Sequence, residues 1–473
     1  MNSKPLTYDS LKTVIQYMDP NTRFLLYSRI SSIRTVERAV PLVIERLSIQ
    51  DHQVWVNNTC YECGIYQVDC ENKIPYRVSG WNKFYFQRIC NVDEFGTRDY
   101  ITEAGGMLPG NNGRRYERNL FGYFDRENIP TNEGRLQKLE AIIEIEKQRL
   151  NQLMNYRPES SSANKEDERK NLDKFKFVHI EVPKIYNEDE LKLLNNKKMV
   201  KEAIKYAKDR IKDMENELLP FENKRNNIRP KFEIHLVTFG YYGRFINRVN
   251  ERVKYTGDLH KAEENLRDFM FSNRRHVVRV NSFETNQKCA VKMPQDLKMR
   301  IENLRLCANE SPILEQVKSI IDESSFPLER LAIAFISNAP QNLDYKFIGN
   351  SKYLECYLMF AAELPIIRSL QNKIVYFSTC LTHFLKSEDF IVLIRNWIQT
   401  NKPTGTCFTF SLYKAEEEIA IKILDRVKRR IVNATSGDKW VKISMSSSAV
   451  LKIRYFQNAS STLFIRMVVV PVK

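Results

Sequence analysis

The chain has 473 residues, 42% of them hydrophobic and 11% aromatic, so it can fill about two to four packed domains and is too apolar for wholesale disorder. Lys and Arg outnumber Asp and Glu by 74 to 58, a net charge of +16 that favours an acidic partner (nucleic acid, an anionic membrane or an acidic protein surface), with a basic protein that has no such partner as the equal alternative. No run of about 18 uncharged apolar residues occurs, and nothing resembles a signal peptide, so a soluble cytoplasmic or nuclear chain with reduced cysteines is expected, without a membrane partner.

The first elements are helical. Residues 5–18 form a short amphipathic pattern stopped at Asp19-Pro20, and a second apolar run follows through Phe24, Leu25 and Leu26 to Ile30, Ile33 and Val36. Helices this short cannot bury both faces alone, so they need the rest of the chain or a partner. From Val43 the period changes to two, and residues 43–70 read as a hairpin or small sheet turning at Asn57-Asn58. Residues 71–132 are irregular, with loops marked by Gly105-Gly106 and Gly110-Asn111-Asn112-Gly113. A helix is predicted over 133–155, its seam of Leu136, Leu139, Ile143, Leu150 and Leu153 broken by Glu146. A solvated linker at Ser160-Ser161-Ser162 leads to a second long helix over 188–219, ending at Pro220. The two could fold back as an antiparallel pair.

Beyond residue 231, strand and helix alternate. Strands are expected at Phe232–Phe239, His276–Val280, Met299–Leu306, Leu328–Phe335, Lys373–Ser378, Thr406–Leu412 and near 440–445, 449–456 and 462–470. Helices are expected at Asp258–Phe271, Ile313–Ile321, Glu388–Gln399 and Ala415–Val432. The spacing Ile301-x-x-Leu304-x-Leu306 recurs as Leu328-x-x-Leu331-x-Ile333, which has leucine-rich-like character, although no Asn or Cys stands at the turn position. A compact α/β domain is the alternative. The fold expected is therefore α+β or α/β in four parts: a small N-terminal helical unit (1–42), a β-rich region with loops (43–132), two charged helices with a flexible linker (133–230) and a C-terminal strand-helix array (231–473).

This order, and several local segments, carry a resemblance. Pro5-Leu6-Thr7-Tyr8-Asp9-Ser10-Leu11 and Arg29-Ile30-Ser31-Ser32-Ile33-Arg34 resemble the start of the nematode-expanded F-box C proteins. Ile65-Tyr66, Met293 to Lys298, Ile321 to Leu328 and Trp397 to Pro403 are similar to the same family's downstream pattern. The resemblance implies a three-helix F-box that docks on a Skp-type adaptor, and through it on a cullin ubiquitin ligase. The residues it places at the adaptor are Pro5, Leu6, Leu11, Val14, Ile15, Met18, Asp19, Pro20, Phe24, Leu25 and Leu26. Two features depart from it: Arg23 stands near a position usually apolar, and Ser32 to Val36 supplies nothing larger than Ile where an F-box often has a Trp or another large apolar residue. The C-terminal array would select a protein substrate, with strand ends and connecting loops as the contact surface, and the chain would do no chemistry itself.

The chemical motifs are weak. Cys60-x-x-Cys63 with Cys70 and Cys90 has uneven spacing for a zinc site, and core packing explains these thiols as well. None of the six histidines forms a catalytic or metal motif, and His235 reads as a paired residue of its strand. Gly240-Tyr241-Tyr242-Gly243 fits a hairpin turn better than an RNA clamp. Arg114-Arg115-Tyr116-Glu117-Arg118 and Phe121 to Arg126 interleave cations and rings, the basis of an alternative reading as a nucleic-acid-binding or interaction scaffold. Lys422, Arg426 and Lys428 to Arg430 follow an acidic helix start, as the helix dipole favours. No catalytic residue, cofactor or metal is predicted.

Overall fold

The computed structural model describes residues 7–50, 53–70, 75–79, 91–97, 132–158, 169–176, 184–240, 248–285, 293–306, 311–335, 344–358, 363–379, 381–412, 417–458 and 462–472. Pro5, Leu6, Cys90, the Arg114–Arg126 stretch, the serine linker, Tyr241-Tyr242-Gly243 and most of 71–132 lie outside them. The N-terminal part runs α1 (Tyr8–Gln16), α2 (Pro20–Arg29), α3 (Arg34–Arg38), β1 (Val43–Gln50), β2 (Gln53–Val56), β3 (Thr59–Gln67) and β4 (Tyr76–Ser79). Then come α4 (Asn132–Asn155), α5 (169–176), α6 (Glu188–Lys192), α7 (Lys197–Arg225), β5 (Phe232–Gly240), β6 (Arg248–Lys254) and α8 (Leu259–Phe271). The array continues β7 (Val278–Thr285), β8 (Met299–Leu306), α9 (Ser311–Ile320), β9 (Leu328–Phe335), α10 (Tyr345–Gly349), β10 (Ser351–Leu358), α11 (Glu363–Ser369) and β11 (Ile374–Phe377). The last elements are α12 (Thr382–Lys386), α13 (Glu388–Gln399), β12 (Cys407–Leu412), α14 (Glu417–Arg430), β13 (Ala434–Gly437), β14 (Trp440–Ser444), β15 (Ala449–Gln457) and β16 (Leu463–Pro471). The chain is mixed α/β and falls into two compact units, one of residues 1–60 with 266–473 and one of 61–265.

In the first unit the strand order is β13-β14-β15-β16-β12-β11-β10-β9-β8-β7-β1-β2. Strands β7 to β12 are parallel neighbours in chain order, β1 extends them in parallel, and β13 to β16 are antiparallel. Parallel neighbours need crossovers, and from β8 to β12 helices α9, α10, α11, α12 and α13 stand between successive strands. The pairing aligns the recurring spacing across the whole array. Leu47, Phe283, Leu304, Leu331, Leu354, Val375 and Phe408 are partners in succession, all buried. Two residues on, Ile49, Thr285, Leu306, Ile333, Cys356, Phe377 and Phe410 make a second buried row. Fully burying one such apolar side chain contributes about 1.5–3 kcal/mol, so the rows are the main source of cohesion. The ring of Trp397 from α13 meets Phe408 edge-on at 4.8 Å, and Phe377 stacks on Phe410 at 4.7 Å.

The second unit is built on an antiparallel pair. Leu139, Ile142 and Ile143 of α4 pack on Met214 of α7, while Leu153 packs with the α7 start around Met199, Val200 and Ala203. The seam charge Glu146 is buried and held by Arg149 and by Arg210 at 3.5 Å. The predicted helix over 188–219 is instead two, because Asn196 interrupts it and caps α7 by accepting from the Met199 amide at 2.9 Å. Pro220 does not end α7. The helix runs on to Arg225, where buried Asn223 donates to the Phe95 carbonyl at 3.2 Å and anchors the last turn. His235 is buried, 3.0 Å from the Glu233 carboxylate and stacked on Tyr66. Cys60 and Cys63 lie three residues apart on β3, so strand alternation turns them to opposite faces, which a shared metal site would not allow. No cluster of potential metal ligands occurs among the described residues.

Candidate docking surface

The N-terminal helices are shaped by their caps. Thr7 accepts from the Ser10 amide to start α1. Asp19 caps α2, its carboxylate accepting from the Asn21 amide at 2.9 Å and the Thr22 amide at 3.4 Å, with Pro20 at the first helical position. Asp19 and Pro20 thus fix the turn between helices, and Pro20 is buried.

The inward face is apolar. Ile15 packs on Val36 and Val40, with half-buried Leu11 and Met18 against them. Phe24 is 3% exposed and meets Phe271 edge-on at 6.4 Å. Beneath it lies a charged knot. Arg23, at 2% exposure, donates from Nε to the Glu37 carboxylate at 3.1 Å and from its Nη atoms to the carbonyls of Pro41, Val40 and Glu37. Arg274 reaches the same Glu37 oxygen at 3.1 Å and donates to the Met270 carbonyl. Arg38 donates to the carbonyls of Met270 and Phe269. Two guanidiniums therefore share one carboxylate oxygen, with a third, Arg38, on neighbouring carbonyls. Burial, only partly offset by Glu37, pushes Arg274 down to about 10 and lowers Arg23 as well. A buried cation is tolerated at Arg23 because every arm is bonded.

The outward face is different. Val14 is 40% exposed, Leu25 45% and Tyr17 84%, with Tyr8 and Ile30 exposed and Leu26 half-buried. Among the eleven residues expected at an adaptor, Pro5 and Leu6 lie outside the described residues. Ile15, Pro20 and Phe24 are packed inside the chain, and Leu11 and Met18 are half-covered. The large apolar residues left exposed on these helices are therefore Val14, Tyr17 and Leu25, with Tyr8 and Ile30. Tyr17, Tyr8 and Ile30 were not among the residues expected there. Tyr17 is the C-cap of α1, one residue past its last turn.

Residues 258–414 match a family described as a domain of unknown function (DUF3557). The match spans α8 to β12, which includes the parallel array β7–β12, and stops short of β13–β16. No curated protein and no solved structure matches the chain.

Proposed function

We propose that the chain is a non-catalytic substrate receptor of a cullin-based ubiquitin ligase, docking on a Skp-type adaptor through α1 and α2 and holding a protein substrate on the 231–473 array. Such a receptor works by proximity, keeping a substrate near a ubiquitin-carrying enzyme. The resemblance of residues 5–40 to an F-box motivates the reading. The observation that carries it is the split of the N-terminal unit: Ile15 and Phe24 fix it to the chain, while Val14, Tyr17 and Leu25 are left facing outward. On this reading the array is a leucine-rich-like stack, and the chain acts in the cytoplasm or nucleus.

Capture by an immobilised Skp-type adaptor tests it. Wild type should be retained, and a Val14→Asp/Leu25→Asp double variant should not, with unchanged circular dichroism. The choice of residues matters, because Ile15→Asp would break the core of the unit and lose binding for an uninformative reason. Wild type that is not captured, or a double variant captured equally, overturns the proposal.

A further inference from the structure

The antiparallel end of the first unit has two unlike faces. Toward α14, Val441, Ile443, Leu451 and Ile453 are buried with Ala420 and Ile423. The other face of β14, β15 and β16 presents Lys442, Lys452, Arg454 and Arg466, exposed or half-buried, around Trp440 and Phe456. The register sets these cations directly against one another. Lys442 pairs with Lys452, and Arg454 pairs with Arg466. Like charges opposed across an antiparallel ladder destabilise it, with Cβ atoms only about 4.5–5.5 Å apart. Among the described residues no carboxylate forms an ion pair with any of the four. Glu417 of α14 is engaged elsewhere, accepting from Lys439 and from the Tyr455 hydroxyl.

We propose that this face is a docking surface for an extended, acidic protein segment. An uncompensated cationic ladder is complementary to carboxylates. Lys452 and Arg454 are two residues apart on β15, about 6.8 Å, which is the spacing of carboxylates on alternate residues of an extended peptide. The rings give apolar contact beneath the charges, and Arg, Trp and aromatic residues are the types that anchor protein interfaces. Nucleic acid fits less well. Base stacking needs a free ring face. Arg466 lies 4.6 Å from the Phe456 centroid, which also stacks on Phe464, and Lys442 lies 4.8 Å from Trp440. The Trp440 ring also packs on Gly437, where a Cβ would come within 2.5 Å of it. The inference rests on the receptor reading only in taking the occupant to be protein, and it moves recognition from the array's connecting loops to a sheet face beyond the matched family region.

The test is fluorescence anisotropy of a labelled alternating Glu-Thr peptide with the full chain. Binding should weaken as salt rises, and the Gln-Thr counterpart should not bind. A Lys442→Gln/Arg454→Gln variant should lose roughly tenfold affinity or more. Its denaturation midpoint should be equal to or above wild type, because repulsion has been relieved. No binding of the Glu-Thr peptide, equal binding of the Gln-Thr peptide, or wild-type affinity in the variant overturns the proposal. A lowered midpoint, which would make the cations structural, also overturns it, as does displacement by an oligothymidylate, which would assign the face to nucleic acid. Adaptor capture of the same proteins separates the two proposals. Capture without peptide binding rejects this surface alone, and peptide binding without capture rejects the ligase role alone.

Discussion

The knot of Arg23, Glu37, Arg38 and Arg274 should respond asymmetrically to substitution. Glu37 is 1% exposed and, among the described residues, is the only carboxylate paired with Arg23 and Arg274, whose side chains are 2% and 4% exposed. Glu37→Gln removes that negative charge and strands buried cations. Breaking a buried pair in this way costs about 3–5 kcal/mol. Arg274→Met is the opposite case. Burial already pushes Arg274 down to about 10, so at neutral pH its charge is held at a cost. Its loss relieves repulsion with Arg38 and Arg23, leaves Glu37 paired with Arg23, and forfeits the bonds to the Met270 carbonyl. These effects largely offset, so the expected change is below about 1.5 kcal/mol. The sign with pH follows. A cation whose folded pKa is lowered opposes folding at neutral pH, and that opposition fades as pH rises through about 10 toward its unfolded value. Urea denaturation of the full chain, with limited proteolysis following residues 1–42, measures both variants. The reasoning is refuted if Arg274→Met destabilises as much as Glu37→Gln, or if Glu37→Gln leaves the midpoint unchanged.

The remaining expectations concern the array, the helical pair and acid stability. Leu304→Ala, in the middle of the first buried row, should cost about 2–5 kcal/mol, while Arg305→Ala beside it should stay within about 0.5 kcal/mol, as read by thermal denaturation. Glu146→Ala removes the buried carboxylate that Arg149 and Arg210 share between α4 and α7, and should lower stability by about 3–5 kcal/mol with loss of helical signal. Asp344 is held below the usual carboxylate range by its hydrogen bond from Lys318. A lowered acid contributes stability above its unfolded pKa and loses it as pH falls through the folded value, so Asp344→Asn should flatten the acid limb of a stability–pH curve.

The array was legible where its inner positions are apolar. Ile301, Leu304 and Leu306, and Leu328, Leu331 and Ile333, show the spacing openly. The next unit, β10, hides the spacing because its first inner position is Ser351 and its third is Cys356. At β11 the corresponding position is Asn372. Its side-chain amide satisfies the Ile348 carbonyl and both oxygens of Ser351, so a polar residue serves where a hydrophobic pattern was sought. The partnership of β1 with β7 was hidden because about 230 residues separate them, and no local period reports a pairing over that distance. In the N-terminal unit the helices and the Asp19-Pro20 turn were readable from capping chemistry. Which apolar residues face inward was not, since that depends on Phe271, Met270 and Arg274 far along the chain. Pro220 misled for a related reason: the anchor that carries α7 past it, Asn223 on the Phe95 carbonyl, is tertiary.

Calorimetric titration of a purified Skp-type adaptor into the full chain tests the adaptor role most directly. That role predicts saturable one-to-one binding with a negative heat-capacity change, because apolar side chains leave water. Tyr17→Asp, at a residue 84% exposed and so free of folding consequences, should weaken that binding by roughly tenfold or more. Absence of binding, or equal affinity in the Tyr17→Asp variant, would contradict the account.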